Sequence, residues 1–345
     1  MKKGALLCEK HVSIDFRKAE RGGGPRARHG HRLVGRDAAR RGRAHAVGKE
    51  GRLCGTIGGC AVEYRSQQMA AKVLEDKRSF EHGFNLTKDD VQKLGMICGG
   101  AVSVFFGYLP AYDEAMLTIA ARAEECFAAG RDLWLISDIA DGGRIGLYTR
   151  EDGYIGVDAP DWLTEKLGRH PARIRQDGRD LYAEQINFSG RVYVFGCGHV
   201  AQELVPVLAH VGFRCVALDD RPEFARKELF PDAEEVILCD FEHLSKSITV
   251  TAEDYACVMT RGHAFDAVVQ AQMLMTEACY IGVIGSAKKK AGVYKRLKEE
   301  YGFPDEVFER ITSPIGLPIK AETPAEIAIS VAAQMIEFRA RRNEA

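Results

Sequence analysis

At 345 residues the chain is longer than a single hydrophobic core ordinarily supports, about 250 to 300 residues, so two domains are expected. Its 48 basic and 49 acidic residues leave a net charge of -1, which gives no global field for steering onto nucleic acid or an anionic membrane. No apolar run reaches the roughly eighteen residues of a membrane span, and Met1-Lys2-Lys3-Gly4-Ala5-Leu6-Leu7-Cys8 has too short an apolar core for a secretory signal. The ten cysteines lack paired C-x-x-C spacing, so a cytoplasmic protein with reduced thiols is expected.

Residues 17–46 stand apart in composition, with nine arginines, six glycines and few large apolar side chains. Such a stretch buries too little surface to offset its chain entropy. Three readings fit: a disordered loop, an Arg-Gly arm that binds nucleic-acid phosphates, and a segment translated from a shifted frame of a GC-rich gene. The last is preferred to the arm, because nothing else in the chain points to nucleic acid. From Val47 onward the composition is ordinary. Gly55-Thr56-Ile57-Gly58-Gly59-Cys60 reads as a glycine-rich turn and Ala61 to Leu74 as a helix. Ala101 to Leu109 alternates as a strand, opened by Met96-Ile97-Cys98-Gly99-Gly100, and residues 114–129 read as a helix closed by Gly130. Strands at 133–137, 144–148 and 181–186 complete an α+β half without regular alternation. Asn187-Phe188-Ser189-Gly190 is a short polar hinge, dividing the chain into domains 1–188 and 189–345.

Beyond the hinge, strands at 191–195, 214–218, 235–239, 255–259 and 279–284 alternate with helices at 198–211, 222–229 and 264–276. That alternation predicts an α/β domain, a Rossmann-like doubly wound parallel sheet. The last helix begins with Thr323 as N-cap, Pro324 at the first helical position and Glu326 as partner in a capping box, and its stripe of Ile327, Val331 and Met335 should pack on the sheet.

In such sheets ligands bind beyond the C-terminal strand ends, so the residues following each strand are the candidates. Gly196, Gly198, His199 and Ala201 form a G-x-G-x-x-A turn whose free amides and helix dipole suit a phosphate. Asp219 lies about twenty residues on, where an acid would grip a ribose hydroxyl, followed by Asp220 and Arg221. Thr260, Arg261 and His263 follow the 255–259 strand, and Gly285, Ser286 and Lys288 follow the last; they supply donors and cations for phosphate oxygens. No acid–base pair for hydride transfer stands at a recognisable spacing. Among thiols, Cys98 beside Gly99-Gly100 is best placed to reach a ligand, metal or sulfur; Cys54 and Cys60 flank the other glycine turn.

These motifs resemble, in order, the xanthine dehydrogenase accessory proteins of the XdhC/CoxI family. The match is carried by Gly55-Thr56-Ile57-Gly58-Gly59 with Val62-Glu63, by Cys98-Gly99-Gly100, by Phe195-Gly196-Cys197-Gly198-His199-Val200 and by Asp219-Asp220-Arg221-Pro222. Thr260-Arg261-Gly262-His263, Tyr280 through Ser286, and Pro314 through Ala328 complete it. The resemblance implies a molybdenum cofactor (molybdopterin) chaperone that protects the cofactor during sulfuration and hands it to a molybdenum hydroxylase. It further implies a cysteine desulfurase as sulfur source and a homodimer. An NAD(P)-dependent oxidoreductase or nucleotide-sensing regulator is the alternative use of the same crevice. The chain has neither the iron–sulfur cysteine set nor the length of a hydroxylase, so an accessory role is expected in place of xanthine dehydrogenase activity. One departure is the Arg-Gly-rich segment, which stands where the family carries a Gly-Ser-x-Pro-Arg type segment and a strand.

Overall fold

The structure is a computed structural model that describes residues 30–36, 43–48, 51–55, 57, 60–86, 100–109 and 113–342. The chain divides into two compact units, Met1–Phe188 and Ser189–Ala345.

The first unit holds two antiparallel five-stranded sheets. One has the order β3-β2-β1-β5-β4, from β1 (Gly30–Arg36), β2 (Arg43–Gly48), β3 (Gly51–Gly55), β4 (Phe80–Leu86) and β5 (Gly100–Leu109). Helix α1 (Cys60–Asp76) lays Val62, Ala70 and Val73 against Val104 and Phe106 of this sheet. Within the Arg-Gly-rich stretch, residues 30–36 form β1 and residues 43–46 open β2. Strand β1 sits between β5 and β2, so its main-chain groups are paired on both sides whatever its side chains are. The rest of residues 17–46 lies outside the described residues.

The other sheet, order β8-β7-β6-β10-β9, is built from β6 (Leu133–Asp138), β7 (Arg144–Thr149), β8 (Gly153–Ile155), β9 (Ala172–Gln176) and β10 (Arg179–Asn187). Helix α2 (Glu114–Ala129) covers it through Ile119, Ala120 and Ala123, which meet Leu133, Leu135 and Leu147. Both helix ends are written locally. Asp113 accepts from the Met116 amide at 3.0 Å, and Gly130 closes the helix at φ +60°.

The second unit is the doubly wound sheet. Strands β11 (Arg191–Phe195), β12 (Arg214–Asp219), β13 (Glu235–Leu238), β14 (Tyr255–Val258), β15 (Tyr280–Val283) and β16 (Ile311–Thr312) are all parallel, in the order β13-β12-β11-β14-β15-β16. Alternate residues face opposite cores. Val192, Val194, Cys215 and Ala217 meet α3 (His199–His210) and α6 (Pro324–Arg342) through Leu204, Leu208, Val331 and Met335. Tyr193, Phe195, Val216 and Leu218 meet α4 (Gly262–Leu274) and α5 (Ala287–Tyr301) through Ala267, Ala271, Val293 and Leu297. The capping box of α6 is present: Glu326 N donates to Thr323 Oγ1 at 3.3 Å and Thr323 N to Glu326 Oε2 at 2.9 Å.

The helix expected at 222–229 is absent; only a 3-10 turn at Lys227–Leu229 forms. Pro222 offers no amide, and Arg221 folds its guanidinium onto the Phe224 ring, 3.7 Å from its centre, while its carbonyl accepts from Phe224 and Ala225. Among the described residues no helix is long and apolar enough to cross a membrane.

Candidate functional site: the crevice of the second unit

The chain runs outward from β11 to β12 and β13, then returns to the other side of β11 for β14, β15 and β16. The loops after β11 and β14 therefore part from each other, and a crevice opens there at the C-terminal edge of the sheet. The glycine turn lines it. Gly196 adopts φ +102°, and a Cβ on it would stand 2.4 Å from the Met259 carbonyl oxygen, so only glycine lets the turn lie against the end of β14. Gly198 is different in kind. Its φ is -73°, and nothing lies within 4 Å of the place a Cβ would occupy. It is the N-cap of α3 with no side-chain cap, and free space lies beside the start of the helix. Ala201 is buried where the helix packs on the sheet, and His199 is exposed at the first helical position.

The acids after β12 have divided roles. Asp219, 1% exposed, spends both oxygens on the chain: Oδ2 accepts from Cys197 N at 2.7 Å and Arg221 Nη2 at 3.0 Å, and Oδ1 from Arg221 N at 3.1 Å and Nε at 2.8 Å. Burial pushes its carboxyl up, but the Arg221 and Cys197 bonds outweigh it and hold the group below the ordinary carboxylate range. Asp219 thus shapes the turn and is not placed to grip a ribose, and Arg221 is its counter-ion instead of a phosphate ligand. The unspent acceptor is the next residue. Asp220 Oδ1 is buried and accepts no hydrogen bond, with the Arg221 Nε cation 3.8 Å away, and Oδ2 accepts at 3.4 Å from Arg261, which is 58% exposed. The Cys197 thiol is buried within the turn, and burial together with the Asp219 charge pushes it up to about 12, so it is no nucleophile for the crevice.

On the far side of the crevice, sequence spacing concealed a cluster. Thr260 Oγ1 donates at 2.5 Å to Asp266 Oδ1, a fully buried carboxylate in α4 whose other oxygen meets the ammonium of Lys289. Ser286 caps α5, accepting from Lys289 N at 3.3 Å. Gly285 lets the lysine stem cross the backbone, since a Cβ there would come within 2.9 Å of Lys289 Cδ. The pair is 23 positions apart, and nothing in a local motif announces it. Gly262 and His263 begin α4 and Lys288 lies in the first turn of α5, with side chains outside the described residues.

In the first unit, Glu63 of α1 is buried and accepts from Ile57 N of the glycine-rich turn at 3.2 Å. Cys98 lies outside the described residues, as do the side chains of Cys54 and Cys60. The one group of described carboxylates and histidine spaced to hold a metal, Asp240, Glu242 and His243, is fully exposed, with His243 Nδ1 already 2.7 Å from Asp240.

A parallel sheet of this strand order, with a glycine turn at the point of reversal, defines a Rossmann-like domain. Residues 192–335 match the family model of the XdhC Rossmann domain. Along more of its length the chain is similar to a probable xanthine dehydrogenase subunit from Bacillus subtilis, 25% identical over 299 residues, covering 85% of this chain and 86% of that protein. It also matches the uncharacterized protein YqeB of Escherichia coli, 26% identical over 150 residues, which is 43% of this chain and 27% of YqeB. In fold, it superposes on a crystal structure of a xanthine dehydrogenase from Bacillus halodurans with a TM-score of 0.73 and 24% identity, covering 93% of this chain and 94% of that one.

Proposed function

We propose that the protein is an accessory factor of a molybdenum hydroxylase such as xanthine dehydrogenase, and that it binds the phosphate-bearing end of molybdenum cofactor in the crevice of its second unit. The observation that carries this is the open space at Gly198 before an uncapped helix, in a domain that matches the XdhC family model. The donor set fits a phosphate: the amides of Gly198 and His199 face it, Arg261 supplies a cation, and Asp220 offers the acceptor for a ribose hydroxyl if the cofactor is a dinucleotide. When bound, the cofactor supplies a molybdenum centre on which an oxo ligand is exchanged for sulfido. The chain's own residues hold the phosphate end and keep the ligand apart from bulk water until handover. Cys98 is assigned to sulfur handling, a cysteine desulfurase is the sulfur source, and the working assembly is a homodimer in the cytoplasm.

A second reading is favoured by one observation. The strand order is that of dinucleotide-binding domains, so NAD(P), as substrate or signal, suits the same turn. The test is retention. Purified protein is mixed with molybdenum cofactor and desalted, and pterin and molybdenum are counted per chain beside Gly198→Asp. Near-stoichiometric retention lost in the variant supports the chaperone; no retention by wild type, with NAD(P) binding intact, replaces it by the second reading. Sulfido content unchanged in Cys98→Ala would remove that residue from the scheme.

A further inference from the structure

We propose that the crevice has a second anion subsite on its far side, in which Lys289, fixed by buried Asp266, takes the phosphate or other oxyanion at the opposite end of an extended ligand.

Asp266 is the most deeply buried carboxylate beside the crevice, and such a group is tolerated only when its charge is answered. Thr260 gives one hydrogen bond and Lys289 gives the charge. The Lys289 ammonium meets Asp266 Oδ2 directly, and this is its one ion pair among the described residues. Lys289 itself is 22% exposed. An ammonium carries three N–H donors, so one carboxylate contact holds it in place and leaves donors for an anion.

Its surroundings share that sign. Helix α4 starts beside it from Arg261, which makes no side-chain cap, and α5 starts from Ser286, so two helix N-termini add their positive ends. Its neighbour Lys290 is turned away, its ammonium 3.2 Å from the Ser313 carbonyl oxygen. The glycine turn belongs to the loop after β11, whereas Thr260, Asp266 and Lys289 belong to elements after β14 and β15. A ligand reaching both must carry two separated polar ends. This extends the reading of the crevice as a ligand site, and the experiment separates the two.

The probe is inorganic phosphate, with titration calorimetry and acetic anhydride footprinting read by mass spectrometry. In wild type, phosphate should protect Lys289 from acetylation while exposed Lys295 on the same helix stays unprotected. This needs no variant. Lys289→Met should weaken phosphate binding about tenfold or more, Lys289→Arg should retain it, and Gly198→Asp, blocked at the glycine turn, should still bind phosphate at Lys289. Unchanged acetylation of Lys289, or equal affinity in Lys289→Met, would overturn the subsite and leave the lysine a structural counter-ion, whose loss lowers melting temperature alone. If phosphate protects Lys289 but no nucleotide or cofactor is retained, the functional reading fails and the subsite stands.

Discussion

Two glycines two residues apart should respond to the same substitution in opposite ways. Alanine at Gly196 is forced to φ +102°, at a cost of about 1 to 3 kcal/mol, and its methyl group is driven to 2.4 Å from the Met259 oxygen and 2.7 Å from its carbonyl carbon. Both contacts are backbone, just past the end of β14 where Met259 N donates to Phe195 O, so relief requires that end to move from β11; overpacking adds about 1 to 3 kcal/mol. The sum is about 2 to 6 kcal/mol. For a unit of this size that lowers the melting temperature by roughly 4 to 24 °C. Alanine at Gly198, at φ -73° with an empty shell, should change stability by no more than about 0.5 kcal/mol, but it places a methyl group where the proposed phosphate would sit. Calorimetric melting of the full chain, with nucleotide or cofactor titration, reads both. Gly196→Ala melting with wild type, or Gly198→Ala melting below it, would show that the turn does not have this geometry.

The Asp219 carboxylate gives a pH signature. Its folded value is lowered, so its stabilisation is complete above the unfolded value of about 4 and is lost as pH falls through the folded value. Asp219→Ala should cost about 3 kcal/mol at neutral pH and flatten the acid limb of a stability–pH curve; a variant with the wild-type slope below about pH 4 would refute this. Asp220→Ala should lower stability by no more than about 1 kcal/mol, since its arginine contacts are long, and weaken nucleotide binding about tenfold by removing an acceptor of the proposed site. Equal affinities by calorimetry would exclude it from the site. Cys197 and Cys239, both pushed up to about 12 mainly by burial, should resist maleimide at pH 8 until the unit unfolds, which mass spectrometry of native and denatured samples would check.

The second unit was legible in the sequence because its strands are short apolar runs punctuated by glycines, and β11 with its turn carries a recognisable fingerprint. The parallel, doubly wound arrangement followed from the alternation of strands and helices. What spacing concealed was allegiance. Asp219 occupies the register of a ribose ligand, yet an arginine two residues on captures it, and only the side-chain geometry reveals that Asp220 is the unspent acid. Lys289 was hidden among three consecutive lysines, since a charge run reads as a solvated face until one member turns inward. In the first unit, β1 and β2 escaped because arginine and glycine are poor signs of a strand, whereas ladder pairing depends on main-chain groups. The 222–229 segment erred the other way, its composition being helical but its length too short once Pro222 and Phe224 were drawn into a turn.

The bond from Cys197 N to Asp219, itself held by Arg221, means that the glycine turn takes its shape from within the chain and not from its ligand. A receptor shaped in advance loses little ordering entropy on capture. If the domain is the carrier proposed above, its cargo passes to a recipient that binds it more tightly, and the turn need not change shape for it to leave.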